Sequence, residues 1–197
     1  MILIRVTAAV LLGLTVAGCG TDAPAPAPSP AVTFDQALHD ELVAMLQRDQ
    51  AARTGGADPE GDTARTERLR QILAQHGWPG FALVGRDGGD AAWAIAQHAD
   101  TDLPFQKHAL DLLTAAAKGG QASWGNVAYL TDRVAVAEGR PQTYGTQVGC
   151  GPDGPKPNTP IADEGTVDQR RAKAGLAPLA DYYAEMTAIC QEEEPPS

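Results

Sequence analysis

The chain is short of the side chains that most covalent hydrolases use as nucleophiles. Its 197 residues contain only three serines, Ser29, Ser123 and Ser197, and three cysteines, Cys19, Cys150 and Cys190. No Gly-x-Ser-x-Gly elbow is present, which argues against Ser-His-Asp hydrolysis. Clustered cations are equally scarce: 15 Lys and Arg stand against 25 Asp and Glu, a formal net charge of -10, and only Arg170-Arg171-x-Lys173 groups basic residues. Reading a phosphate backbone needs a basic face, so no nucleic acid is expected as a partner. A polybasic patch for anionic lipid is missing for the same reason. There is no Walker loop, dinucleotide fingerprint, zinc-spaced cysteine pair or His-Glu-x-x-His helix, so no cofactor or metal is assigned. The apolar run from Val6 to Val16 falls well short of the roughly 20 residues that cross a bilayer as a helix.

That run has another meaning. It follows the single cation Arg5 and leads into Val16-Ala17-Gly18-Cys19, the layout of a bacterial lipoprotein leader. Residues 1–18 read as a signal peptide and Cys19 as the lipidated first mature residue, with an ordinary secretory signal as the alternative. One acyl chain anchors only marginally, so stable attachment needs two or more. Residues 19–31 continue as a Pro/Ala-rich tether, Ala23-Pro24-Ala25-Pro26-Ala27-Pro28. Alternating proline fixes φ and removes amide donors, which makes an extended spacer of roughly 30 Å or a plain disordered linker. The expected location is the extracytoplasmic face of the cell membrane, with the lipid itself as the membrane link. In that oxidising space Cys150 and Cys190 form an even pair, and a disulfide is expected between them; two free thiols are the alternative. Lipidation and the disulfide would leave no cysteine for catalysis.

Residues 32–190 fit one domain, followed by an acidic tail over 191–197 expected to be disordered. Periodicity makes the domain mainly helical, with about six to seven helices. Leu38, Leu42, Met45 and Leu46 form a stripe over Thr33 to Arg53, capped by Thr33 or Asp35. Further helices are expected over Glu60 to His76, Asp90 to Ala99, Leu103 to Lys118, Ser123 to Glu138, Val167 to Ala174 and Leu179 to Cys190. Glycines 77, 119 and 139 follow three of them as stop signals. A small hairpin is expected within residues 142–162, one strand over Gln142 to Val148 and a second near Thr159 to Ala162. Trp78, Trp93 and Trp124 read as core or rim packing.

Polar residues then stand where a helical bundle usually prefers apolar ones. Asp49, Gln50 and Arg53 end the first helix, with the i, i+4 spacing of an ion pair between Asp49 and Arg53. Gln97-His98-Ala99-Asp100 ends an apolar helix, Asp132-Arg133 interrupts another, and Gln142, Tyr144 and Gln147 crowd the hairpin. In this order Asp49-Gln-x-x-Arg53, Gly77-Trp78-Pro79, Gln97-His98-Ala99-Asp100, Asp132-Arg133-Val134 and Gln142-x-Tyr144-Gly145-Thr146-Gln147 resemble a bacterial domain family of unknown function found in exported and cytoplasmic proteins. The resemblance spans about Leu42 to Tyr182 and departs near Thr63 to Leu69, where the family often has Asp and Asn. It implies a helical fold and carries no activity with it.

Three readings follow. In the first, Arg53, Gln97, Arg133, Gln142, Tyr144 and Gln147 line a cleft for a polar cell-envelope ligand, a glycan or peptide fragment, recognised by directional amide and guanidinium donors. In the second, His98 activates water, oriented by Asp132 or Asp49, with Arg133 and Tyr144 stabilising negative charge. In the third, the polar residues only fix helix register and satisfy hairpin amides. The spacing of His98, Asp100 and Asp102 or His108 is too loose to define a metal site.

Overall fold

The structure, a computed structural model, describes residues 32–152 and 154–193; the leader, Cys19, the tether and the last four residues lie outside it. Among the described residues seven α-helices run in the order α1 (Gln36–Arg53), α2 (Gly61–His76), α3 (Phe81–Gln97), α4 (Leu103–Lys118), α5 (Trp124–Ala137), α6 (Val167–Lys173) and α7 (Leu179–Glu193). A two-stranded antiparallel hairpin, β1 (Val148–Gly151) and β2 (Gly154–Pro157), sits between α5 and α6. The fold is mainly α with a small hairpin.

Helix starts follow local chemistry. The Asp35 carboxylate accepts the Leu38 amide, Asp102 accepts that of Phe105, and the Ser123 hydroxyl accepts those of Gly125 and Asn126. Each satisfies donors that have no partner inside the first helical turn. Helix α3 lies at the centre, touching α1, α2, α4 and α5. Its inner faces are small, with Ala91, Ala92, Ala96 and Gly88 all buried, so neighbouring backbones approach closely. Leu42, Leu69, Ile72, Ile95, Phe105, Leu113 and Leu130 pack around it.

Helix α3 begins at Phe81 rather than near Asp90. Gly85, Gly88 and Gly89 weaken the helical signal of this stretch, each costing up to about 1 kcal/mol relative to alanine. Tertiary contacts override that weakness: the Phe81 amide donates to the Gln121 carbonyl and the Ala82 amide to Gln121 Oε1. The glycines leave a record as a kink, with Gly85 at φ 73°.

The hairpin is also displaced from its expected strands. Val148 pairs with Pro157 and Gly151 with Gly154, whereas Gln142 and Ile161 form only an isolated bridge. The reason is Asp132, whose carboxylate takes the amides of Thr143, Tyr144 and Thr146 and so removes them from any ladder. The Cys150–Cys190 disulfide joins β1 to α7, with Cα atoms 5.5 Å apart. Helix α7 continues three residues beyond Cys190, to Glu193.

Candidate functional site

Asp49 falls on the inward stripe of α1, two helical periods after Leu42, and it is fully buried. A carboxylate in that position must be compensated. Arg53, one turn on, donates through Nη2 to Oδ1 at 3.0 Å and through Nε to Oδ2 at 3.2 Å, and Gln50 Nε2 donates to Oδ2 at 2.8 Å. From α2, Arg65 Nε lies 3.8 Å from Oδ1, and its other nitrogens donate to Asp58 and Asp62. From the end of α3, His98 Nδ1 lies 2.9 Å from Oδ2 and 3.0 Å from Oδ1.

This geometry sets the tautomer of His98. A carboxylate only accepts, so Nδ1 carries the proton and donates it to Asp49. Arg53 Nε faces both Nδ1, at 3.1 Å, and Asp49 Oδ2, at 3.2 Å; with the proton on Nδ1, its hydrogen goes to the carboxylate. Nε2 is left with its lone pair and no hydrogen-bond partner among the described residues. Burial holds the imidazole below its ordinary value of 6.5; Asp49 opposes that shift, while the charges of Arg53 and Arg133 add to it. Burial pushes the Asp49 carboxyl up, but Arg53, His98 and Gln50 outweigh it and keep it below the usual carboxylate range. His98 is therefore neutral at pH 7, with a basic nitrogen turned away from its carboxylate. The side chains around it reach solvent, at 20% exposure for His98, 40% for Arg53 and 30% for Arg133.

A second cluster continues from His98 along the α3–α4 turn. Asp100 accepts from Arg133 Nε at 2.8 Å and Nη2 at 2.6 Å, while Arg133 Nη1 donates to Gln147 Oε1 at 3.0 Å. Gln106 of α4 closes the end of α3, donating to the Gln97 carbonyl at 3.1 Å. Among the described residues no group donates to the buried Oε1 atoms of Gln97 and Gln106.

Asp132 has a different task. Its carboxylate is fully buried and accepts three backbone amides and the Thr146 hydroxyl, and it does not touch His98. Gln142 braces the same loop, donating from Nε2 to the carbonyls of Gln147 and Thr159 and accepting the Gln147 amide at Oε1. Gly145 at φ 67° completes the turn, where a Cβ would come within 2.6 Å of Ile161. Tyr144 gives its amide to Asp132, while its side chain lines a separate hollow with Trp124 and Arg170.

Of the residues expected at a site, Asp49, Arg53 and His98 meet directly, with Arg133 and Gln147 in the adjoining cluster. Gln97 is buried beside them, Gln142 and Asp132 hold the loop, and Tyr144 faces elsewhere. The sequence reading passed over Arg65, Asp58, Asp62 and Gln106. Arg65 carried a usable signal, since it stands one turn before Leu69 on the inward stripe of α2 and is only 2% exposed. Among the described residues no group of three or more His, Cys, Asp or Glu is placed to hold a metal ion, and no helix is long and apolar enough to cross a membrane.

No curated protein and no solved structure is significantly similar to the chain. A family model does match it, over residues 36–189, which take in both clusters and the loop around Asp132. The chain belongs to the family of unknown function DUF6624.

Proposed function

We propose that the protein is a lipid-anchored envelope protein that hydrolyses a polar cell-envelope molecule, with His98 as general base. The observation that carries this reading is the Asp49–His98 pair: a buried carboxylate fixes the imidazole by Nδ1 and leaves Nε2 neutral and unpartnered. In the step proposed, Nε2 takes a proton from water as the water oxygen bonds to an electrophilic carbon. Arg53 and Arg133 favour the negative charge that develops on the substrate oxygen, and the proton on Nε2 then passes to the leaving group. Asp49 stays ionised and stabilises the imidazolium. Anchoring at Cys19 and residence on the extracytoplasmic face belong to the same proposal, supported by the lipobox-like run before Cys19 and by the disulfide, which suits an oxidising compartment.

A second reading is recognition without turnover, in which Arg53, Arg133 and the glutamines bind a glycan or peptide fragment. The part-exposed guanidinium groups of Arg53 and Arg133, at 40% and 30%, support it, since both remain within reach of a bound ligand.

One experiment separates the two. The full chain is incubated with an envelope digest and products are followed by mass spectrometry, comparing wild type with His98→Ala. Hydrolysis predicts new products in the wild type and a loss of about 100-fold or more in the variant. Ligand retention without any product favours recognition, and equal product formation by His98→Ala removes His98 from the chemistry.

A further inference from the structure

We propose a second ligand site, an acidic-saccharide pocket bounded by Trp124, Tyr144, Arg170 and Lys173. These residues and Ala174 line a hollow of 290 Å³, at the small end of ligand-sized cavities. It draws on three places in the chain: the first residue of α5, the loop held by Asp132, and the last turn of α6. A Cβ on Gly125 would sit 3.3 Å from Leu176 and 3.6 Å from the Ala174 carbonyl, so glycine lets α5 come close to the turn after α6.

Four side chains give the hollow its chemistry. Trp124 is 43% exposed, although it is one of only three tryptophans in the chain. A helix start does not require an exposed indole, and a large apolar ring left beside a concave surface is an informative exposure. Tyr144 offers a phenolic hydroxyl with no hydrogen-bond partner among the described residues. Lys173 has no ion-pair partner among them. Arg170 is already committed: it donates from Nε to Thr143 O at 2.7 Å, from Nη1 to Thr166 Oγ1 and from Nη2 to the Ala162 and Asp163 carbonyls, and it pairs with the Asp163 carboxylate at 3.9 Å. It therefore walls the hollow, and Lys173 is the cation left for a ligand. The helix dipole accounts for cations in the last turn of α6, but it does not account for an exposed tryptophan lining the same hollow.

The combination fits one class of ligand. A sugar ring stacks its C–H face on an indole, its hydroxyls meet Tyr144, and a carboxylate or phosphate on the ring meets Lys173. In a chain of net charge -10 the cation at this hollow is Lys173, which gives an acidic sugar a local point of attraction. A neutral sugar would leave Lys173 without a counter-charge among the described residues.

The test reads binding rather than turnover, so its outcome is independent of His98. Full-length protein is titrated with a glucuronic acid–N-acetylglucosamine tetrasaccharide, its carboxyl-reduced form and inorganic phosphate, by calorimetry and tryptophan fluorescence. The pocket predicts saturable binding of the acidic tetrasaccharide, weakened about ten-fold or more by Trp124→Ala and about five-fold by Lys173→Gln, and weaker binding of the reduced form. Both substitutions lie at exposed positions, and near-ultraviolet circular dichroism checks that each variant is folded. No saturable binding of the tetrasaccharide overturns the proposal, as does equal affinity in Trp124→Ala. Phosphate binding as tightly as the tetrasaccharide would reduce the hollow to a simple anion site and overturn it too.

Discussion

Asp49 and Asp132 are both fully buried carboxylates, and their partners give them opposite uses. Asp132 is surrounded by amides of its own loop, so it has no capacity left for a reacting group. Replacing it by Ala leaves the amides of Thr143, Tyr144 and Thr146 without acceptors and should cost about 3 kcal/mol or more in urea unfolding. A variant as stable as wild type would show that water replaces the carboxylate. Asp49 is surrounded by side chains from three helices, and one of these, His98, can titrate near neutral pH. The signs of its neighbours give a test. Arg133→Gln removes a positive charge that lowers the His98 pKa and should raise it, whereas Asp49→Asn removes the charge that raises it and should lower it further. Because folded His98 titrates below its ordinary 6.5, the unfolded chain takes up the proton first. Its contribution to stability therefore falls as pH drops through 6.5 and levels off below the folded value, measurable as a pH series of unfolding midpoints.

At the scale of elements, the helical stripes were open to sequence reasoning because each depends on local spacing. Leu38, Leu42 and Met45 mark α1 by period alone, and Asp35 and Ser123 announce helix starts in chemistry that reaches only three residues ahead. The start of α3 and the hairpin register were not legible, since both are decided by partners far along the chain. Gln121 anchors the glycine-weakened first turn of α3, and Asp132 withdraws amides more than ten residues away from strand pairing. The site divides in the same way. Asp49 with Arg53 was visible as an i, i+4 pair, but choosing Asp49 over Asp132 as the partner of His98 required knowing that α1 packs on α3. The hairpin depends on α7 through the disulfide. Closing a loop of 40 residues stabilises a fold by about 4 kcal/mol on the chain-entropy account. Reduction, or Cys150→Ser with Cys190→Ser, should lower the unfolding free energy by about 2–4 kcal/mol, and an unchanged denaturation midpoint would contradict that.

For the molecule as a whole, net charge bears on the proposed anchoring. A chain of net charge -10 without a polybasic stretch has no electrostatic hold on an anionic membrane, so attachment in the proposed scheme depends on Cys19 alone. Cys19→Ala should move the protein from the membrane fraction to the soluble fraction of cells, and retention at the membrane would refute the anchor.

The central claim is that His98 is a neutral base oriented by Asp49. Nitrogen-15 NMR of the imidazoles, with His98 assigned by comparison with His98→Ala, reads the tautomer and the titration in one series. The geometry predicts a proton on Nδ1 at pH 7, an apparent pKa below 6.5 and loss of that tautomer preference in Asp49→Asn. A proton on Nε2, or a pKa at or above 6.5, would contradict the account.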